Sequence, residues 1–303
     1  MRAGGEKDQA RSIVVEGDAA SVLRVLPAGS CRCCVTSPPY WGLRDYGVPG
    51  QIGAEEEPGE YVAALVRVFA EVRRVLAPDG TLWLNVGDSY TSGNRGYRAP
   101  DRKNPVRAMA YRARTPRGLK PKDLVGIPWR LAFALQDDGW TLRSDVVWEK
   151  PNCMPESVRD RPTRSHEYLF LFARAERYLY REERIREENG RRRRSVWSIP
   201  TEPFPGAHFA TFPPALVEPC ILAGSDPGDR VLDPFFGAGT VGVVSERLGR
   251  SYLGIEINPE YVALARARLL AGGAFEDLLL SMPPVGEDAD FERAPDHGAR
   301  PDL

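Results

Sequence analysis

The chain has 303 residues, 42% hydrophobic and 27% charged, with 41 basic and 42 acidic side chains. That is enough for one substantial core carrying insertions, and no apolar run approaches the length of a membrane span. The first residues show no signal-peptide pattern, and five cysteines, an odd number, do not read as a disulfide framework. A cytoplasmic protein with no metal site is expected.

Residues 1–11 read as a flexible tail. A strand is predicted over Ser12–Glu16, then a short helix from Asp18, its cap, to Leu26. Cys31–Thr36 is a second strand, and Gly42–Gly59 is a loop rich in glycine, proline and acids. Leu65, Val68, Phe69, Val72 and Leu76 recur at helical spacing, predicting a helix over Tyr61–Leu76 that stops at Pro78-Asp79-Gly80. Thr81–Val86 is the next strand. Residues 89–122 hold turn formers and arginines without periodicity and read as a functional insertion. A helix over Leu124–Gln136 follows, then strands over Leu142–Glu149 and Glu167–Ala173, with Arg177–Tyr180 as a hairpin partner. A second polar insertion spans 181–207, and a helix spans Ala215–Ala223. Arg230–Asp233, the helix Val241–Leu248 and the strand Tyr252–Ile257 make a βαβ unit, and Tyr261–Leu270 is the last helix. Residues 284–303 are acidic and poor in apolar residues, the composition of a disordered tail. Strands alternating with helices argue for a single α/β domain over 12–280. Its sheet is open, largely parallel and covered by helices on both faces, with ligands at the C-terminal edge of the strands.

Two motifs carry chemistry. Ser37-Pro38-Pro39-Tyr40 leaves the second strand, and its two prolines stiffen the backbone and remove two N–H donors. A hydroxyl, carbonyl oxygens and an aromatic ring remain: an acceptor cradle for an amino group, with a flat surface for a base. The second motif, Asp233-Pro234-Phe235-Phe236-Gly237-Ala238-Gly239-Thr240, is a glycine-rich turn between strand and helix. Glu256 stands at the tip of the next strand, placed to grip ribose hydroxyls. The turn satisfies G-x-G-x-x-G, so a nicotinamide dehydrogenase is one reading. A carboxylate and a ring at the strand end suit a cationic sulfonium nucleoside better than a pyrophosphate. Asp18, Ser37, Asp233 and Glu256 all fall at strand ends.

Together, these motifs resemble the amino-group DNA methyltransferases that use S-adenosylmethionine. With S-P-P-Y first and the cofactor turn last, the order is similar to that of the circularly permuted β group. Glu16-Gly17-Asp18, Trp148-Glu149-Lys150-Pro151-Asn152 and His208-Phe209-Ala210-Thr211-Phe212-Pro213 resemble further segments of that family. The match runs from about Ile13 to Arg268.

The resemblance implies a Rossmann-like methyltransferase fold and transfer of a methyl group to an exocyclic amine of a base flipped from double-stranded DNA. It implies catalysis by Ser37, Pro38, Pro39 and Tyr40, with the Ser37 hydroxyl and Pro38 carbonyl accepting from the amine and Tyr40 stacking on the base. Cofactor contacts fall to Asp18, Asp233, Pro234, Phe235, Gly237, Gly239, Thr240 and Glu256, with Asp18 on the adenine and Glu256 on the ribose. Phe209 or Phe212 would cover the cofactor. Serine at position 37 goes with cytosine N4 in this family, and aspartate or asparagine with adenine N6, so N4 is expected and N6 is the alternative. A catalytically silent DNA-binding protein would not need the amine cradle. Methylation at carbon 5 of cytosine would require a cysteine nucleophile, and Cys220 lies instead in an amphipathic helix.

The net charge of −1 hides an asymmetry, for Arg95 to Lys122 contains ten basic residues against one acid. Arg95, Arg98, Arg102, Lys103 and Arg107, with the run Arg191, Arg192, Arg193 and Arg194, are expected to meet DNA phosphates. A cognate restriction endonuclease and a second copy of the chain are the other partners considered.

Overall fold

The computed structural model describes residues 11–43, 47–91, 115–153, 156, 158–202 and 212–272. The strands are β1 (Ile13–Glu16), β2 (Cys31–Thr36), β3 (Leu76–Val86), β4 (Thr141–Glu149), β5 (His166–Ala173), β6 (Val196–Ser198), β7 (Arg230–Asp233) and β8 (Ser251–Glu256). They form one sheet in the order β1-β8-β7-β2-β3-β5-β4-β6. Every neighbouring pair is parallel except those made by β5, which runs against both β3 and β4. The largely parallel sheet expected from the sequence is therefore present.

Helices cover both faces. On one side lie α1 (Ala19–Val25), α2 (Pro58–Val75) and α3 (Ile127–Asp137); on the other lie α4 (Pro214–Gly224), α5 (Thr240–Arg247) and α6 (Pro259–Leu270). Successive strand residues point to opposite faces. Leu82 and Leu84 of β3 accordingly join Leu23, Phe69 and Leu131 in the first core, while Trp83 joins Val217, Val244 and Ala265 in the second. Buried on both faces, the central strands read as continuous apolar runs. Asp18 caps α1 by accepting from the Ser21 amide (2.9 Å).

Four boundaries differ from the sequence reading. Helix α2 starts at Pro58, inside the expected loop, because Glu57 and Glu60 form a capping box and Pro58 suits the first turn. Strand β3 begins at Leu76, ahead of the expected stop, and its register against β2 slips between Cys31 and Cys33. A side chain at Gly80 would come within 2.9 Å of the Arg32 carbonyl, so glycine is what lets the chain pass there. Arg177–Tyr180 is no hairpin strand: the Leu179 amide binds the Asp79 carbonyl (2.9 Å), and the Tyr180 ring stacks on Trp83. The expected polar loop after 181 contains a 3-10 turn (Glu182–Ile185) and β6, which extends the sheet beside β4. With only Trp197 buried, β6 is too short to announce itself by alternation.

Candidate active site

A cleft opens at the C-terminal ends of β1, β2, β7 and β8. Of the residues singled out in the sequence, Asp18, Ser37, Pro38, Pro39, Tyr40, Pro234, Phe235, Gly237, Thr240 and Glu256 line it. Ile52, Phe212, Ile255 and Leu264 supply apolar wall. The amine cradle and the cofactor turn, about two hundred residues apart in sequence, thus face one space. Their strands are neighbours in the sheet, and the Thr36 hydroxyl donates to Asp233 across them (2.7 Å).

Asp233 and Gly239 are not part of the cleft lining. Asp233 is buried beneath the turn, where it also accepts from the Phe235 amide (3.0 Å). Burial lifts its carboxyl to about 7; the two hydrogen bonds oppose that rise and the Glu256 charge adds to it. Gly239 adopts φ +81°, and a side chain there would meet Ala265 at 3.2 Å and the Phe236 ring at 3.3 Å. Its glycine serves the close approach of α5 to α6. Phe236 is core, stacked on Tyr252, whereas Phe235 is half-buried with its ring at the cleft and against Phe69.

Glu256 holds the turn from the adjacent strand. One carboxylate oxygen accepts from the Gly237 amide and the other from the Asn258 amide, both at 2.8 Å. Burial raises its carboxyl above the ordinary value, and the amide donors pull it back. In a dinucleotide fold the amides of this turn face a pyrophosphate, but here the Gly237 amide is taken by a carboxylate. The described residues lining the cleft include two acids, Asp18 and Glu256, and no Lys, Arg or His. That donor set suits a phosphate-free, cationic nucleoside and disfavours a dinucleotide.

On the other side of the cleft, the S-P-P-Y turn is gripped from below. Tyr61 of α2 donates to the Pro39 carbonyl (2.8 Å). Trp41, buried next to the turn, donates its indole N–H to the Glu55 carbonyl (2.9 Å). The Tyr40 ring packs against Gly87, where a Cβ would stand 2.5 Å from the ring. Its hydroxyl donates to Glu167 (2.7 Å), which also accepts from the Asn85 amide (3.1 Å) and pairs with Lys150. Withdrawal from water and the Glu167 charge hold the phenol well above its usual pKa, so it stays protonated.

Gly87, Asn85 and Glu167 escaped the sequence reading, and Lys150 entered it only within the Trp148–Asn152 segment, with no role. Asn85 could have been noticed, as a polar residue inside the apolar strand Leu82-Trp83-Leu84-Asn85-Val86. Glu167 has no local signature, since its partners come from three other elements.

Cys220 sits buried on α4, its thiol pushed well up by burial and its Sγ 3.2 Å from the Leu216 carbonyl. It does not line the cleft. Arg95, Arg98, Arg102, Lys103 and Arg107 lie outside the described residues, as do Phe209 and the rest of 203–211. Arg191 to Arg194 precede β6, which runs parallel to β4, so they approach the sheet from the end opposite Ser37. Three of them have partners within the chain. Arg192 pairs with Glu182 (2.5 Å), Arg194 pairs with Glu187 (3.5 Å), and Arg193 lies over the Trp197 ring at 4.3 Å.

The fold and the two-sided cleft describe a base-modifying enzyme with a nucleoside cofactor, and the comparisons agree. A family model described as DNA methylase, covering N6 and N4 methyltransferases, matches residues 31–267. The chain belongs to this family of DNA methyltransferases. It is 66% identical over 258 residues to the Type II methyltransferase M.Cfr9I of Citrobacter freundii, spanning 84% of this chain and 86% of that protein. It is 59% identical over 263 residues to the Type II methyltransferase M.SmaI of Serratia marcescens, spanning 85% and 90%. Among solved structures, PvuII DNA methyltransferase (cytosine-N4-specific) superposes with a TM-score of 0.67 at 22% identity, covering 89% of this chain and 92% of that one. A putative DNA modification methylase of Thermus thermophilus, in complex with S-adenosyl-L-methionine, matches with a TM-score of 0.63 at 27% identity over 87% and 94%. Among the described residues, no helix is long and apolar enough to cross a membrane.

Proposed function

We propose that this DNA methyltransferase modifies the exocyclic N4 amine of a cytosine within a short site in double-stranded DNA, as the modification partner of an endonuclease that reads the same site. The observation that carries the reading is the shared cleft, with Ser37 and Pro38 on one wall and Asp18, Phe235, Gly237 and Glu256 on the other.

S-adenosylmethionine is the methyl donor, and when bound it supplies an electrophilic methyl group on a sulfonium. Asp18 and Glu256 offer acceptors for its adenosine, while Pro234, Phe235, Gly237 and Thr240 form the wall beside it. The chain's own task is to make the amine nucleophilic. The lone pair of an exocyclic amine is delocalised into the ring. With both N–H groups bound by the Ser37 hydroxyl and the Pro38 carbonyl, the nitrogen becomes more tetrahedral and that pair is localised. Among the described residues no donor reaches the Pro38 carbonyl, whereas the Pro39 carbonyl is occupied by Tyr61. Tyr40 offers a face on which the flipped base stacks. No covalent intermediate is formed, and catalysis rests on placement and electrostatics. A neutral hydroxyl at position 37, rather than a carboxylate, favours cytosine.

The test is to incubate the chain with unmethylated DNA and methyl-labelled S-adenosylmethionine, digest the DNA to nucleosides and identify the labelled base by mass spectrometry. N4-methylcytosine is expected. N6-methyladenine would overturn the choice of base, and 5-methylcytosine would overturn the mechanism.

A further inference from the structure

The reaction needs Ser37 as a hydrogen-bond acceptor, yet a serine hydroxyl can equally donate. Its direction is decided by whatever takes its proton. Two oxygens stand near Ser37 Oγ: Asn85 Oδ1 at 3.3 Å and the Tyr40 hydroxyl at 3.4 Å. Each could in principle face either way, and the next shell of contacts removes that freedom.

Asn85 is buried at 2% exposure, and its Nδ2 has two acceptors at 3.1 Å, Glu167 Oε2 and the Tyr168 carbonyl. Neither of these can donate, so the amide nitrogen must face them and Oδ1 must face Ser37. The Tyr40 hydroxyl has two acceptors, Glu167 Oε2 at 2.7 Å and Asn85 Oδ1 at 3.2 Å; the shorter bond, to the carboxylate, takes its proton and turns the phenol's lone pairs toward Ser37. The other oxygen of Glu167 is paired with Lys150, which lies 4.3 Å above the Trp148 ring. Paired with that ammonium, the Glu167 carboxylate presents only acceptors to Tyr40 and Asn85. The side chains of Glu167 and Lys150 are 16% and 17% exposed, so water competes little for these bonds.

From this polarity we infer that Glu167, paired with Lys150, is a positioning residue that fixes Ser37 as a hydrogen-bond acceptor. It acts through Asn85 and Tyr40 and touches neither base nor cofactor. Ser37 must give its own proton inward, and its lone pairs are left for the target amine. The inference rests on the role given above to Ser37 but not on which base is methylated.

Glu167→Gln tests it, because glutamine keeps the shape and can donate. Its amide can hydrogen-bond to the Tyr40 oxygen, reverse the phenol and hand Ser37 a proton. The rate of label incorporation is measured on whichever base the wild-type chain methylates. In Glu167→Gln, kcat should fall roughly tenfold to a hundredfold, the range for a lost charge-assisted hydrogen bond. The Kd for S-adenosylmethionine and the KM for DNA should stay within about threefold. The deciding measurement repeats the change in a Ser37→Ala background, where Pro38 alone accepts from the amine. There Glu167→Gln should cost less than about twofold, since no hydroxyl remains to orient. A merely structural role would cost the same factor in both backgrounds, and that result overturns the inference. Tyr40→Phe, which removes one of the two oxygens that receive the Ser37 proton, provides a second cycle with Ser37→Ala and decides the matter if Glu167→Gln does not fold. Its loss should likewise shrink in that background, and an undiminished loss overturns the inference. Failure of the wild-type chain to label cytosine is a separate result, bearing only on the base assignment.

Discussion

Thr36 and Asp233, 197 positions apart in sequence, are joined by a buried 2.7 Å hydrogen bond at the ends of two adjacent parallel strands. The bond ties the strand that delivers the amine cradle to the strand that delivers the cofactor turn. Thr36→Val keeps the shape but leaves Asp233 without one of its donors. It should cost about 1–3 kcal/mol of stability and weaken S-adenosylmethionine binding, as read by urea unfolding and calorimetry. A stability loss with no change in binding would mean that the bond holds the sheet but not the site.

Asp233 should give the fold a pH signature. Its carboxyl is lifted to about 7 in the folded chain, whereas an unfolded aspartate titrates near 4. The folded state therefore binds this proton more tightly. The stability that Asp233 contributes is present below about pH 4, declines as pH rises, and is lost by about pH 7. Asp233→Asn should remove that decline, on the order of a few kcal/mol. Urea midpoints at pH 5 and pH 7.5 check this. An unchanged difference between them would place the titration elsewhere.

Gly87 makes room for the ring of Tyr40. Because an added Cβ would stand 2.5 Å from that ring, Gly87→Ala should displace Tyr40 and lower methyl transfer at least tenfold. The cofactor turn is on the opposite wall, so the affinity for S-adenosylmethionine should hold. Normal turnover in this variant would show that the position of Tyr40 does not matter.

Glu256 braces two backbone amides. Glu256→Ala strands both and should cost about 1–3 kcal/mol, with a loss of cofactor affinity of tenfold or more by calorimetry. Glu256→Gln, which can still accept one of the two bonds, should fall between. Equal affinities for wild type and the alanine variant would remove Glu256 from the cofactor site.

The two basic segments should behave differently. Arg193 lies on Trp197, so Arg193→Ala should lower stability by about 0.5–2 kcal/mol. Neutralising Arg95, Arg98, Arg102, Lys103 and Arg107 should weaken DNA binding uniformly across sequences and flatten its salt dependence. Neutralising Arg191, Arg192 and Arg194 should do so less, since two of them have acidic partners and the run enters β6 from the end opposite the cleft. Equal salt slopes for the two sets of variants would show that the arginine run faces DNA after all.

Local chemistry determined much of this protein from sequence alone. Proline pairs, glycine turns and apolar periodicity act over a few residues, so β2, the S-P-P-Y exit, the G-x-G turn and most helices were legible, and so was the order of the two motifs. Strand-end placement also brought Asp18, Ser37 and Glu256 to one edge before any contact was known, because parallel strands present their ends together. The tertiary structure decided what those residues lean on. Burial and long-range pairing, which no local pattern encodes, placed Asp233 beneath the cleft and packed Gly239 against Phe236 and Ala265. They set β6 into the sheet and bound three of the four arginines to partners in the chain. The same long-range pairing placed Glu167, which is 127 residues from Tyr40, where it can determine the direction of the hydrogen bonds at Ser37.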